Sequence, residues 1–330
     1  LQPDVMSLDM LPYDPFILKK SEGEDALDIF NFKLGYGYNH QYAKNALQLN
    51  NGNGSFTDIA MFSEVHATDW SWSVIFEDID NDGKKDIFVS NGIPKRMNDI
   101  DYINFISNDE LQWRIHYENM VEKDLELINT IPEIALPNKV FLNEGDFEFR
   151  DIEQEIQNNF EGYSNGLAVA DFDNDGDLDF VVNNIERVAS IYENLTSDGS
   201  DRNYLKVKLK GAPGNRNGIG AKVILYSNFD RQLKENFPSS GFQSSSNVPI
   251  HFGLGNKDTI DSVKVFWPNG KTSILKDIAA NQMLEVSIAS AESESDIEYT
   301  TASNFYWNEE VSDELEVHFH HEENPFVEFS

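Results

Sequence analysis

Apolar positions along the chain fall into two rhythms. Around residues 71–92 and 166–184, short runs rich in Val, Ile and Phe flank an acidic stretch: SWSVIFED and IFVSN in the first, GLAVAD and FVVNN in the second. Their shortness and β-branched content predict strands rather than helices. Further on, Leu205, Val207 and Leu209 alternate with Lys206, Lys208 and Lys210, predicting a strand with one buried and one wet face. The second rhythm is helical. Ile100, Ile103 and Ile106, then Leu111, Ile115, Val121, Leu125 and Ile128, recur at helical spacing, with Asp99 and Asp109 as N-terminal charges or caps and Pro132 as a stop. A helical hairpin inserted on a β scaffold over residues 93–139 is expected, its apolar stripe serving as core.

The strand-like regions repeat at a constant offset of 93 residues. LQLNNGNGSFTDI at 47–59 matches VFLNEGDFEFRDI at 140–152, so Asn50 maps to Asn143, Gly52 to Gly145, Phe56 to Phe149 and Asp58 to Asp151. Downstream, DIDNDGKKD at 78–86 maps to DFDNDGDLD at 171–179, and Asn91 to Asn184. Each unit is about 46 residues, the size of one four-stranded propeller blade.

Charge divides the chain. It carries 58 acidic and 25 basic side chains, a formal net charge of −33. Residues 1–200 hold 39 acids and 13 bases, residues 201–290 hold 7 and 12, and residues 291–330 hold 12 acids and no Lys or Arg. A mildly basic module therefore sits between an acidic one and an acidic tail, with linker-like junctions at SDGSDR and SAESES. Such charge repels phosphate backbones, so no nucleic-acid partner is expected. The absence of cysteine excludes a disulfide framework, a thiol nucleophile and Cys-ligated metals. No run of about 18 apolar residues offers a transmembrane segment. Leu1, with no signal-peptide pattern behind it, reads as the start of a mature chain or a fragment.

The pattern D-x-D-x-D-G-x-x-D occurs twice, as Asp78, Asp80, Asp82, Gly83, Asp86 and as Asp171, Asp173, Asp175, Gly176, Asp179. A hard cation takes six to eight oxygens at about 2.3–2.6 Å. Alternate carboxylates of a tight loop converge, the glycine permits the turn, and the backbone carbonyls of Lys84 and Asp177 are the expected seventh-position ligands. Without a cation, two carboxylates about 4 Å apart repel by roughly 4 kcal/mol at an effective dielectric near 20. Two Ca²⁺ sites are therefore expected. An EF-hand would place a bidentate Glu at loop position twelve, where Val89 and Val182 stand, so that reading fails. Magnesium prefers fewer protein ligands and more waters. Extracellular calcium modules bind at about 10⁻⁴–10⁻³ M, so sites of that strength fill where calcium is millimolar and imply an extracytoplasmic address.

These residues resemble FG-GAP (VCBS-type) repeats of integrin-like β-propellers, in which N-x-G-x-x-x-F precedes the acidic loop. Residues 203–287 resemble the ASPIC/UnbV domain through NYLKVKL, NRNGIGAKV, SSGFQSSS, HFGLG and VFWPNG. The implied fold is mainly β: propeller blades with integrin-like calcium loops and a helical insertion, plus a small β-sandwich-like domain. The domains expected are a partial propeller over 1–200 (units about 47–92 and 140–185, insertion 93–139), an ASPIC/UnbV domain over 201–290, and an acidic linker opening a following module over 291–330. Residues 1–46 read as the remains of an earlier unit. The domain order resembles surface proteins of Bacteroidota that accompany SusC/SusD-type outer-membrane transporters. The resemblance thus implies a calcium-stabilised cell-surface or secreted binding protein. Its partner would be a glycan or a surface protein, a SusC/SusD-type transporter among the latter. The alternative is a calcium-dependent polysaccharide-degrading enzyme on a propeller scaffold.

Other candidates have plainer readings. Trp70 and Trp72 are expected to pack within a sheet, with stacking on a sugar or peptide as the alternative. His251 reads as a packed histidine. Lys206, Lys208 and Lys210 read as a solvated face, with an anion site as the alternative, and His318, His320 and His321 could ligate a transition metal from the tail. Asn53 and Asn194 open glycosylation sequons. No nucleophile elbow, P-loop, H-E-x-x-H or dinucleotide fingerprint appears, so no catalytic residue is assigned.

Overall fold

The computed structural model describes residues 3–21, 26–108, 113, 129–228 and 230–292, and all of these lie within one compact unit, Leu1–Ser295. The second helical stretch from Asp109 to Ile128, apart from Trp113, and the tail with its three histidines lie outside the described residues.

The chain is mainly β. Its first part forms three sheets. Strands β1 (Val5–Ser7), β2 (Ala46–Asn50) and β3 (Phe56–Asp58) make the first, with helices α1 (Pro15–Lys20) and α2 (Leu27–Gly35) in the β1–β2 connection. β4 (Ser71–Glu77), β5 (Asp86–Asn91), β6 (Lys139–Gly145) and β7 (Glu148–Asp151) make the second. β8 (Ser164–Ala170), β9 (Asp179–Asn184) and β10 (Ser190–Tyr192) make the third. All neighbours within these sheets are antiparallel.

The two-residue period of a strand explains the stacking. In the second sheet, Val74, Phe76, Ile87, Val89 and Phe141 point into a core shared with Leu47, Ala60 and Val65. Their neighbours Ile75, Phe88 and Val140 point the other way, into a core shared with Leu167, Val169, Phe180 and Val182. The second sheet is therefore covered on both faces, and β5 is buried at every position. Burying one such Val, Ile or Phe side chain contributes roughly 1.5–3 kcal/mol.

Sheets and sequence repeats are half a unit out of step. The β6–β7 hairpin is the second copy of the Asn-x-Gly segment, yet it pairs with β5 of the first acidic loop, Ile87 opposite Phe141. Each acidic-loop hairpin thus draws its next neighbour from the following unit, tying consecutive units together. The insertion leaves from the end of β5 and returns to the start of β6. Its ends are pinned by Arg96 N–H to the Pro132 carbonyl (2.9 Å), by Asn91 N–H to Asn138 Oδ1 (3.1 Å), and by an ion pair between buried Arg96 and Asp69. Within it, α3 (Ile100–Ile106) is capped by Asp99, whose carboxylate accepts from Tyr102 N–H at 3.0 Å.

A short helix, α4 (Thr196–Gly199), leads into a two-sheet sandwich. One sheet holds β11 (Asn203–Lys210) between antiparallel β14 (Ile250–Gly255) and parallel β17 (Gln282–Ser287). The other has the order β13 (Asp230–Glu235), β12 (Lys222–Ser227), β15 (Thr259–Phe266), β16 (Thr272–Ala279). Leu205, Val207, Val223, Leu225, Phe252, Val263, Val265 and Trp267 fill the space between them.

Candidate functional site

The two acidic loops join β4 to β5 and β8 to β9, and they repeat each other in backbone conformation. Asn81 and Gly83 are left-handed in the first (φ 59° and 95°), as are Asn174 and Gly176 in the second (φ 68° and 100°). The glycine φ values are ones that side chains resist. The ninth-position aspartate closes each loop. Asp86 accepts from Ile79 N–H (2.7 Å) and Asn143 N–H (2.8 Å), while Asp179 accepts from Phe172 N–H (2.8 Å) and Asn194 N–H (2.9 Å).

Asn194 therefore does in the third sheet what Asn143 does in the second. Asn143 donates from its amide to the Lys85 carbonyl at 3.0 Å, and Asn194 donates to the equivalent Leu178 carbonyl at 3.3 Å and to that of Ile79 at 2.7 Å. Asn194-Leu195-Thr196 is thus the opening of a third Asn-x-Gly-type turn, and its amide is engaged in the loop rather than free as a sequon. Asn53 lies at the exposed β2–β3 turn, where its Oδ1 accepts from Ser55 N–H at 3.0 Å.

Within each loop three carboxylates converge. Asp78, Asp80 and Asp86 each offer an oxygen within 4.8 Å of the others, and so do Asp171, Asp173 and Asp175. Asp82 instead accepts from Lys84 Nζ (2.7 Å) and Lys84 N–H (2.8 Å). The Asp177 side chain accepts from Ser197 N–H at 3.0 Å.

The electrostatics favour a group that brings positive charge. Burial, reinforced by Asp80 and Asp82, pushes the Asp78 carboxyl up to about 7 despite the Gly83 N–H. Burial does the same to Asp86 and to Asp177, each to about 7. Asp171 Oδ1 and Asp177 Oδ1 are buried with no hydrogen-bond partner. Clustered carboxylates with orphaned oxygens and no thiol or imidazole among them suit a hard divalent cation, calcium above all.

The sandwich packs directly on these loops, through its own motif positions. Neutral His251, held at about 3 chiefly by burial, donates from Nε2 to Asn81 Oδ1 at 2.7 Å, and Asn81 Nδ2 donates onward to the Gly176 carbonyl at 3.1 Å, linking the two loops. Gly255 N–H donates to the Asn81 carbonyl at 2.8 Å. A Cβ on Gly253 would lie 2.0 Å from Asp78 Oδ2, and one on Gly176 would lie 1.8 Å from the Tyr204 ring. Arg202 pairs with Asp80 and donates to its carbonyl at 2.7 Å. Lys206 Nζ meets Asp171 Oδ2 at 2.5 Å, with side chains only 8% and 5% exposed.

This last contact corrects the reading of a solvated lysine face. Lys208 and Lys210 are exposed, but Lys206 is buried against the second loop. Alternation along β11 places a side chain on a face; it does not say that an acidic loop covers that face. Arg202 and Lys206 are thus site residues that sequence reasoning missed, and the basic patch beside an acidic module was their one signal.

The serine-rich segment SSGFQSSS also docks. β4 and β8 are edge strands, and the segment covers both. Ser244 Oγ and Ser246 Oγ accept from the N–H groups of Leu167 (3.1 Å) and Val169 (3.2 Å), and Phe242 N–H donates to Ser73 Oγ at 2.9 Å. Trp72 packs its ring against Phe242 (centroids 5.0 Å apart) and donates from Nε1 to the Gly92 carbonyl at 2.8 Å, so its aromatic partner lies in the sandwich and not within its own sheet. Beside the second loop lies a polar cleft of about 680 Å³, lined among others by Asp175, Arg202, Tyr204, Asn256, Asp258 and Asn281.

Residues 27–89 and 131–182 match the FG-GAP-like repeat family, and residues 211–293 match the family described as ASPIC and UnbV. The chain thus contains FG-GAP-like repeats followed by an ASPIC/UnbV domain. It is 28% identical over 273 residues to Cartilage acidic protein 1 of Homo sapiens, covering 73% of this chain and 40% of the relative. The same protein of Xenopus tropicalis is 27% identical over 285 residues, covering 73% and 41%. The chain therefore spans about two fifths of the length of the curated relatives it matches.

Proposed function

We propose that this chain is part of a calcium-stabilised, extracytoplasmic binding protein without catalytic activity. Its FG-GAP-like repeats and ASPIC/UnbV domain form one rigid frame around two calcium-binding loops. The observation that carries the reading is a converging carboxylate trio in each loop, at positions one, three and nine in the first and one, three and five in the second, in turns of the same conformation. Asp78, Asp80 and Asp86 would hold one ion, and Asp171, Asp173 and Asp175 the other. The ion would add positive charge to these crowded carboxylates, stiffening the β4–β5 and β8–β9 turns and the sandwich seated on them. Scanning calorimetry tests this. A protein saturated with millimolar Ca²⁺ should unfold several degrees above the same protein in EDTA, since a ligand at about a hundred times its dissociation constant adds about 2.7 kcal/mol per site. Identical melting curves would sink the reading.

The ligand surface of this frame is the polar cleft beside the second loop. Its Asn and Asp side chains offer donors and acceptors of the kind that orient hydroxylated ligands, and Tyr204 adds an amphipathic ring. A glycan is the class that this lining suits, and a protein surface, including that of a SusC/SusD-type transporter, is the other. A glycan array with the intact chain and with Asn256→Ala and Asn281→Ala reads the choice: glycan signals lost in both variants support the first. Array silence, with a co-purifying membrane protein, supports the second.

A further inference from the structure

The two loops have the same sequence pattern but different electrical surroundings. In the first, the leading aspartate, Asp78, is approached by the backbone of Gly253 and receives Gly83 N–H at 2.8 Å, while the sandwich's Arg202 pairs with Asp80 instead. In the second, the leading aspartate, Asp171, receives Gly176 N–H at 3.2 Å and the Lys206 ammonium at 2.5 Å on the same oxygen, Oδ2. Its other oxygen, Oδ1, is buried and unpartnered. Lys206 comes from β11 of the sandwich, 35 residues away, and its side chain is 8% exposed. A positive charge brought from the ASPIC/UnbV domain therefore already sits on the acidic cluster of the FG-GAP-like repeat.

We propose that Lys206 is a positioning residue that serves as an internal counter-charge for the second loop, so that its ammonium and a divalent cation compete for the Asp171 carboxylate. The proposal rests on the calcium reading above and adds a competitor for the ion to it. Because linkage is reciprocal, an ion entering the second loop loosens the grip of β11 on Asp171 to the same degree that the grip weakens the ion. The ASPIC/UnbV domain is then a calcium-sensitive clamp, not a passive neighbour. The contact is dry enough that solvent screens it little, which lets one lysine carry a measurable effect.

The test is calorimetric Ca²⁺ titration of the intact chain carrying Asp80→Asn, which disables the first loop and leaves the second to be read alone. Adding Lys206→Met should tighten the remaining site roughly tenfold, because an ammonium within contact distance of the cluster no longer opposes the ion. Lys206→Gln, which keeps an amide donor for Asp171 without the charge, should tighten it as well, and Lys206→Arg should leave it weak. In EDTA the Met variant should melt lower than its parent, and millimolar Ca²⁺ should close that gap. Unchanged or weakened binding in the Met and Gln variants would overturn the proposal. So would a Met variant that stays unfolded in millimolar Ca²⁺, since the ion would then not replace the ammonium. Failure of the underlying calcium reading looks different: the wild-type chain itself would give no binding heat and no thermal shift.

Discussion

At the scale of single residues, the junction is decided by atoms that are absent as much as by those present. Gly253 lies where any Cβ would meet Asp78 Oδ2 at 2.0 Å and Asn81 Cα at 2.6 Å. Gly253→Ala should therefore push β14 off the first loop and cost on the order of 1–3 kcal/mol, the usual penalty for overpacking. Denaturant unfolding of the two proteins checks it, and a loss near zero would mean that the loop shifts freely. The carboxyls beneath that glycine set a pH dependence. Asp78 and Asp86 are pushed from an ordinary 3.8 to about 7, mainly by burial, so without a divalent ion the folded chain holds protons there that the unfolded chain releases. Their contribution to stability is full below about pH 4 and is lost as pH rises towards 7. Calcium binds the deprotonated form, so the ion-induced rise in melting temperature should grow from pH 5 to pH 8. Melting curves in EDTA and in calcium across that range measure it, and a shift of constant size would contradict the assignment.

At the scale of elements, much was legible before any coordinates. The β4–β5 and β8–β9 hairpins follow from short β-branched runs around a turn that only an Asn and a Gly in left-handed conformation can make. The helix at Ile100–Ile106 follows from its isoleucine spacing and its aspartate cap, but none of its residues is buried, so the stripe does not form the core expected of it. What was not legible was partnership. The 93-residue repeat marks equivalent segments, but strand pairing joins β5 of one unit to β6 of the next, which no periodicity encodes. The burial of Lys206 depends on a carboxylate 35 residues away, and the serine-rich segment reads as an open loop until two strand edges are seen to need it. Hydroxyls at 244 and 246 meet N–H groups at alternate positions of β8, a spacing that matches the strand period. Removing both as Ser244→Ala with Ser246→Ala leaves the Leu167 and Val169 amides without partners and should cost about 1–3 kcal/mol for each group kept from water. Hydrogen exchange should accelerate at those two amides while the Ile87 and Val89 amides of central β5 stay protected; equal acceleration in both strands would show a general loss of stability instead of an uncovered edge.

At the scale of the whole molecule, the two halves hold together by opposite charge across a boundary where each has its own core. The repeat half is built on loops that concentrate negative charge, whereas the sandwich, residues 201–290, carries 12 basic and 7 acidic side chains and no such loop. Its core of Leu205, Val207, Val223, Phe252 and Val265 is formed entirely from its own two sheets. The repeat half should therefore be the part that depends on a divalent ion, and the sandwich the part that does not. On the proposed calcium reading, bound ions would stiffen the loops that hold His251, Gly253 and Arg202, and the two halves should unfold in one cooperative transition. In EDTA at pH 8 the loop carboxylates are charged and uncompensated apart from Arg202, Lys206 and Lys84. The repeat half should then melt first, leaving the sandwich to unfold at a higher temperature. Differential scanning calorimetry should resolve two peaks in EDTA that merge in millimolar calcium. Limited proteolysis at a temperature between the peaks should leave a protected fragment that begins near Asn203. One transition in both conditions, at the same temperature, would mean that the junction between the halves does not depend on a divalent ion.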